Sequence, residues 1–134
     1  DNNFVLYTNA PNGIVVNLST LPIDLGGGVF IAAGTARDGY GTVGTLVNIN
    51  RIGGSAHDDL IYGSDSTTGN ERFEGRAGAD TIHGGGGIDY LHYQNSPGAV
   101  TVSLGSDGSG IVANDGFGTA DTFTGIEGVR APTC

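Results

Sequence analysis

Apolar residues in this chain come in brief β-branched runs: "GIVVNLST" (13–20), "GTLVNINRI" (44–52), "DLIYG" (59–63), "AVTVSL" (99–104) and "GIEGVR" (125–130), each bounded by Gly, Asn, Asp or Pro. Runs of this length and composition predict short strands. No window keeps apolar residues at i, i+3, i+4 and i+7 without a glycine interrupting it, so helix is not expected. The pattern predicts an all-β chain.

Repetition sharpens that picture. "NAPNGIVVNL" (9–18) returns as "NSPGAVTVSL" (95–104), and "DGYGTVGTLVNINRI" (38–52) returns as "DGFGTADTFTGIEGV" (115–129). The first copy holds nine more residues between these blocks, and "PIDLGGGVF" (22–30) is where that extra length is expected. The expected organisation is one domain: a flanking repeat over 1–53, a different element over 54–93, and a second flanking repeat over 94–134.

The middle element repeats on a finer scale. Aligned on its acidic residues it reads "GSAHDDLIY" (54–62), an expanded "GSDSTTGNERFE" (63–74), "GRAGADTIH" (75–83) and "GGGGIDYLH" (84–92). The underlying template is G-G-x-G-x-D-x-U-x, with U a large apolar residue. The last unit fits throughout, and the third departs only by Arg76 in place of a glycine. This segment resembles the RTX, or haemolysin-type, calcium-binding repeat family. The resemblance implies a parallel β-roll or β-solenoid with glycine-rich calcium-binding turns and irregular flanking strands. It further implies a bacterial protein exported by type I secretion and folded outside the cell.

Elementary physics supports a roll independently. Glycines let the first six residues of a unit turn tightly, and the last three form a strand whose central side chain points inward. Ile61, Phe73, Ile82 and Leu91 are then the expected inner stack. So thin a core does not by itself offset backbone ordering, at roughly 1–2 kcal/mol per residue. The acidic turns are expected to supply the rest. If each unit is half a coil, Asp59 lies over Asp80 on one edge and Glu71 over Asp89 on the other, while the residues around "STT" (66–68) bulge outward. Stacked carboxylates call for a cation between them, and glycine carbonyls can complete a cage of about 6–8 oxygens that suits Ca²⁺ better than Mg²⁺.

The candidate metal residues are therefore Asp59, Glu71, Gly75, Gly78, Asp80, Gly84, Gly86, Asp89 and Asp121. Asp121, in "GTADTFTG", shares the spacing of the motif and would cap a site, whereas its counterpart in the first flank is Gly44. An ordinary turn aspartate, bonded to its own backbone, is the competing reading at each position. Asp58 competes with Asp59, and Asp65 is expected to be an exposed turn residue.

Composition excludes more than it adds. The 26 glycines among 134 residues imply many turns, but without a three-residue period they are not collagen. Fourteen acidic and five basic residues give a net charge of −9, which repels nucleic acid and anionic membranes and favours cations. No apolar stretch approaches the roughly 18 residues of a membrane span. The single cysteine, Cys134, leaves no intrachain disulfide. Starting at Asp1 and lacking methionine, the chain is expected to be a processed piece or an excised module of something larger.

"GYGTVG" (39–44) matches a nucleotide-binding pattern but precedes no helix. His57, His83 and His92 are expected on the surface, the last two on opposite sides of the roll. No catalytic motif is present, so an enzyme is not expected. The function read from the sequence is a calcium-binding structural module, secreted or at the cell surface. Three alternatives stand beside it. One is a calcium-dependent adhesive module that stacks polysaccharide on Tyr62, Tyr90 and Tyr93, another is a unit that assembles with copies of itself into a fibre or surface layer, and the third is a fragment of a secreted enzyme whose catalytic domain lies outside this sequence.

Overall fold

A computed structural model describes residues 4–7, 10–37, 43–46, 49–65, 70–93, 100–105, 108–115 and 118–130. Fifteen strands and no helix occur among them. In chain order they are β1 (Phe4–Leu6), β2 (Val15–Asn17), β3 (Ile23–Gly26), β4 (Val29–Ile31), β5 (Thr35–Arg37), β6 (Val43–Thr45), β7 (Arg51–Gly53), β8 (Leu60–Tyr62), β9 (Asn70–Glu74), β10 (Thr81–His83), β11 (Ile88–His92), β12 (Thr101–Leu104), β13 (Gly110–Asn114), β14 (Asp121–Thr124) and β15 (Gly128–Arg130). The bulge expected around 66–68 lies outside the described residues.

Strands β7 to β11 alternate between two sheets. One sheet runs β1-β7-β9-β11-β15, and the other β12-β13-β14-β10-β8-β2-β5-β6. Every pair in the first is parallel, as are β2·β8, β8·β10 and β10·β14 in the second. An all-β fold is thus observed, with parallel and mixed sheets, and this winding is consistent with a β-roll. At each end of the second sheet the chain instead makes an antiparallel meander, β2-β5-β6 on one side and β12-β13-β14 on the other. The stretch 22–30, where the extra length of the first flank is expected, falls almost wholly within a separate hairpin, β3·β4, spanning Ile23 to Ile31.

Register explains the core. Ile61 pairs with Ile82, and Ile82 with Phe123, while Phe73 pairs with Leu91 in the facing sheet. Ile61, Phe73, Ile82 and Leu91 are all fully buried in one cluster. Each lies two positions after an acidic residue, and alternate residues of a strand share a face. The acidic residues therefore point inward too. Asp59, Glu71, Asp80, Asp89 and Asp121 are buried, and β9, β11 and β14 include the acidic position instead of beginning after it.

Candidate metal centre

The buried carboxylates form a ladder along one edge of the coils. Ile14 donates its N–H to Asp59 Oδ1 (2.9 Å), Asp59 donates its own to Asp80 Oδ1 (2.9 Å), and Asp80 donates to Asp121 Oδ1 (2.8 Å). Each acidic residue thus caps the backbone of the neighbouring coil. The two ends are tied off by side chains. Ser55 gives Asp59 both its N–H (2.8 Å) and its hydroxyl (2.6 Å), and the Tyr93 hydroxyl donates to Asp121 Oδ2 (2.8 Å).

On the other edge Glu71 lies opposite Asp89, and Glu127 Oε1 accepts the Asp89 N–H at 2.8 Å. Glu71 itself takes the Ser64 N–H on its carboxylate (3.0 Å). The sequence-based candidates are thereby brought together in two groups, Asp59–Asp80–Asp121 and Glu71–Asp89.

Three carboxylate oxygens, one on the first edge and two on the second, are left over. Asp80 Oδ2 and both carboxylate oxygens of Asp89 are buried and make no hydrogen bond of ordinary geometry among the described residues; the Glu71 backbone N–H lies close enough to Asp89 to offset part of its burial penalty but not to satisfy it. An unmatched buried carboxylate is costly, so such a group either binds a cation or takes up a proton. Burial, reinforced by Asp121 and Asp59, pushes Asp80 up to about 11. Burial and then Glu71 and Glu127 push Asp89 up to about 7. Asp121 rises to about 6, chiefly from burial, which also raises Asp59 and Glu71. These are the groups whose ionisation a cation would restore.

The glycines make room for them. A Cβ on Gly75 would overlap the Asp80 carboxylate, and one on Gly84 would stand 2.8 Å from Asp89 Oδ2 and 2.9 Å from the carbonyl carbon of Gly125. Gly78, at φ +98°, packs on the carbonyl of His57, and Gly86 donates its N–H to Ser64 O at 3.0 Å. Arg76, which replaces a template glycine, adopts φ +67° as the glycine would, and its guanidinium pairs with Glu74 at 3.0 Å.

Among the described residues no three carboxylate, imidazole or thiol side chains converge on one point. A cation here would take one or two carboxylates and draw its remaining oxygens from backbone carbonyls or water. Calcium accepts such a set, whereas zinc and other transition metals favour sites built mainly from side chains. The donors present fit calcium.

Several residues answer differently from the sequence-based reading. Tyr93, expected as an exposed sugar-stacking ring, is 1% exposed, because it lies two residues after Leu91 on the inward face. The same alternation in the sequence would have revealed it. Tyr62 and Tyr90 are half-buried, the first against His83 with ring centroids 4.3 Å apart and the second beneath the Arg130 guanidinium. His83 and His92 sit on different sheets and are half-buried. Asp65 is exposed, and it binds the N–H (2.8 Å) and hydroxyl of Thr20. Glu127, Ser55 and Asp115 were not singled out by the sequence. Asp115 is fully buried and receives the N–H and hydroxyl of Thr119. Ser55 holds the second position of its nonapeptide, as Ser64 does in the next, and each gives its N–H to the acidic residue of its own unit; no nonapeptide spacing leads to Glu127 or Asp115.

Comparison with known families agrees with the site. Residues 65–94 match the RTX calcium-binding nonapeptide repeat (4 copies), and repeats of this family bind Ca²⁺. The match covers Glu71, Asp80 and Asp89, and leaves Asp59 and Asp121 outside. No curated protein and no solved structure matches the chain.

Proposed function

We propose that this chain is a calcium-binding β-roll module of a secreted bacterial protein, disordered until it meets extracellular Ca²⁺ and structural rather than catalytic in role. The orphaned oxygens of Asp80 and Asp89, buried inside the stretch that matches a calcium-binding repeat, carry this reading. Asp80 and Asp89 are the primary ligands. Glu71, Asp59 and Asp121 stand beside them, already anchored by hydrogen bonds, and fix the spacing of the turns. Bound calcium neutralises the stacked carboxylates. Because the metal binds only the folded coil, it stabilises the fold by RT ln(1 + [L]/Kd), about 2.7 kcal/mol per site at a hundredfold excess.

Isothermal calorimetry on the chelated chain tests the assignment. Saturable Ca²⁺ binding, weak or absent Mg²⁺ binding, and a large loss of the calcium signal in Asp89→Asn are expected. Equal binding of both ions, or none, would remove it.

A further inference from the structure

The two flanking units are the same structure used in opposite directions. Strand β1 pairs with β7 in the register Phe4↔Arg51, Val5↔Ile52, and β11 pairs with β15 in the register Tyr90↔Gly128, Leu91↔Val129. Val16 faces Ala36 as Val102 faces Val112, and Ala36 faces Gly44 as Val112 faces Asp121. The sequence agrees, since "FVLYTNAP" (4–11) aligns with "YLHYQNSP" (90–97). Thus β1, β2, β5, β6 and β7 correspond to β11, β12, β13, β14 and β15.

Apart from the β3·β4 hairpin inserted in the first unit, the two differ in how they pair to the nonapeptide coils. In the first unit β2 and β7 pair with the coil that follows, through β8 and β9. In the second, β14 and β11 pair with the coil that precedes, through β10 and β9. Among the described residues, each unit leaves open the edges that its counterpart uses.

Burial records the difference position by position. Val16 is fully buried beside β8 and Val102 only partly; Ile52 is buried beside β9 and its equivalent Val129 only partly. Leu18 packs against the core, whereas its equivalent Leu104 is 44% exposed. Half-covered apolar side chains along open parallel edges are a surface prepared for further strands.

We propose that the open edges of β12 and β15 dock a further nonapeptide coil, a second copy of the 54–93 segment, so that one flanking unit joins two rolls end to end. The bonds follow from the first unit. Leu18 N–H donates to Tyr62 O at 2.8 Å, and Leu60 N–H donates to Ile14 O at 2.9 Å. Leu104 N–H then meets the added Tyr62 carbonyl, and Val100 O the added Leu60 N–H. On the other sheet Arg72 N–H donates to Asn50 O at 3.0 Å, a bond that Glu127 O would accept in its place. The opposite end is the poorer partner, because Gly44 stands where Asp121 supplies a rung of the carboxylate ladder.

The inference rests on strand pairing and is separable from the calcium reading. Residues 131–134 are replaced by a second copy of residues 54–130, the added copy carrying Ile111→Val so that peptides from the two flanks differ in mass. Hydrogen exchange is then compared with the parent chain, in Ca²⁺ and in chelator. Exchange at Leu104 slowed by roughly tenfold or more in the extended chain is expected. Unchanged exchange at Leu104, or an added unit that stays unprotected while the same residues of the parent are protected, would overturn the inference. Protection at Leu104 that is indifferent to Ca²⁺ would keep this pairing and remove the calcium reading. Calcium-dependent protection of β8 and β10 with unchanged Leu104 would do the reverse.

Discussion

The backbone N–H of Asp59 is bonded to the carboxylate of Asp80, 21 residues later, at 2.9 Å. One oxygen of Asp80 thereby fixes the separation of two coils, and the other, Oδ2, lies buried without a partner. The same residue serves the backbone on one side and presents an unmet charge on the other. That division of labour sets the consequences of changing it.

Asp80→Asn keeps an oxygen to accept the Asp59 N–H and removes the charge. In chelator at pH 7, where burial already holds the Asp80 carboxyl protonated, stability is expected to change by less than about 1 kcal/mol. With calcium present the affinity falls roughly tenfold or more, because ligand charge sets the strength of an oxygen cage. Urea unfolding in Ca²⁺, and osmolyte-induced folding in chelator, read the two effects; equal loss in both would assign Asp80 a purely structural role.

Without metal, acid stabilises this fold. Asp89 and Asp80 have folded pKa values raised to about 7 and about 11 from an ordinary 3.8, so the folded chain holds protons that the unfolded chain has released. Their contribution is fully present below about pH 3.8 and is lost as pH rises toward 7 for Asp89 and further for Asp80, at up to about 1.4 kcal/mol per pH unit for each group. Calcium competes with those protons, so its affinity rises over the same range. The β signal of the chelated chain between pH 4 and 8, set against calcium binding across that range, should show opposite slopes, with acid recovering structure that requires the metal near neutral pH.

Tyr93→Phe removes the hydroxyl that donates to Asp121 Oδ2 at 2.8 Å in a buried setting. The lost bond and the stranded acceptor cost about 1–3 kcal/mol. Chemical denaturation of the calcium-loaded protein measures it, and an unchanged midpoint would contradict the role assigned to the hydroxyl.

Ile82 is fully buried between Ile61 and Phe123, in the cluster that also holds Phe73 and Leu91 of the facing sheet. Ile82→Ala is expected to cost about 2–5 kcal/mol, with loss of folding unless calcium is raised. Circular dichroism at increasing Ca²⁺ would show recovery at higher concentration than the parent requires.

Much of this was legible in the sequence because it depends on spacing. The D-x-U step fixes the inward stack of Ile61, Phe73, Ile82 and Leu91, and the repeated glycines mark where carboxylates approach the backbone. The burial of Asp80 and Asp89 follows from the same two-residue alternation, although placing them in turns obscured it. Tyr93 lies inside by the same parity, two residues after Leu91, although its tyrosine chemistry suggests a surface. Glu127 and Asp115 could not be read, since only three-dimensional winding brings the "GIEGVR" strand beside Asp89. The shared edges of the two flanks became visible once β1 and β11 could be superposed by register.

Far-UV circular dichroism of the chelated chain during a Ca²⁺ titration tests the central claim most directly, with Mg²⁺ and an Asp80→Asn, Asp89→Asn double variant as controls. A cooperative gain of β signal with Ca²⁺ alone, lost in the double variant, is the predicted result. A chain fully folded in chelator at neutral pH and indifferent to Ca²⁺ would contradict it.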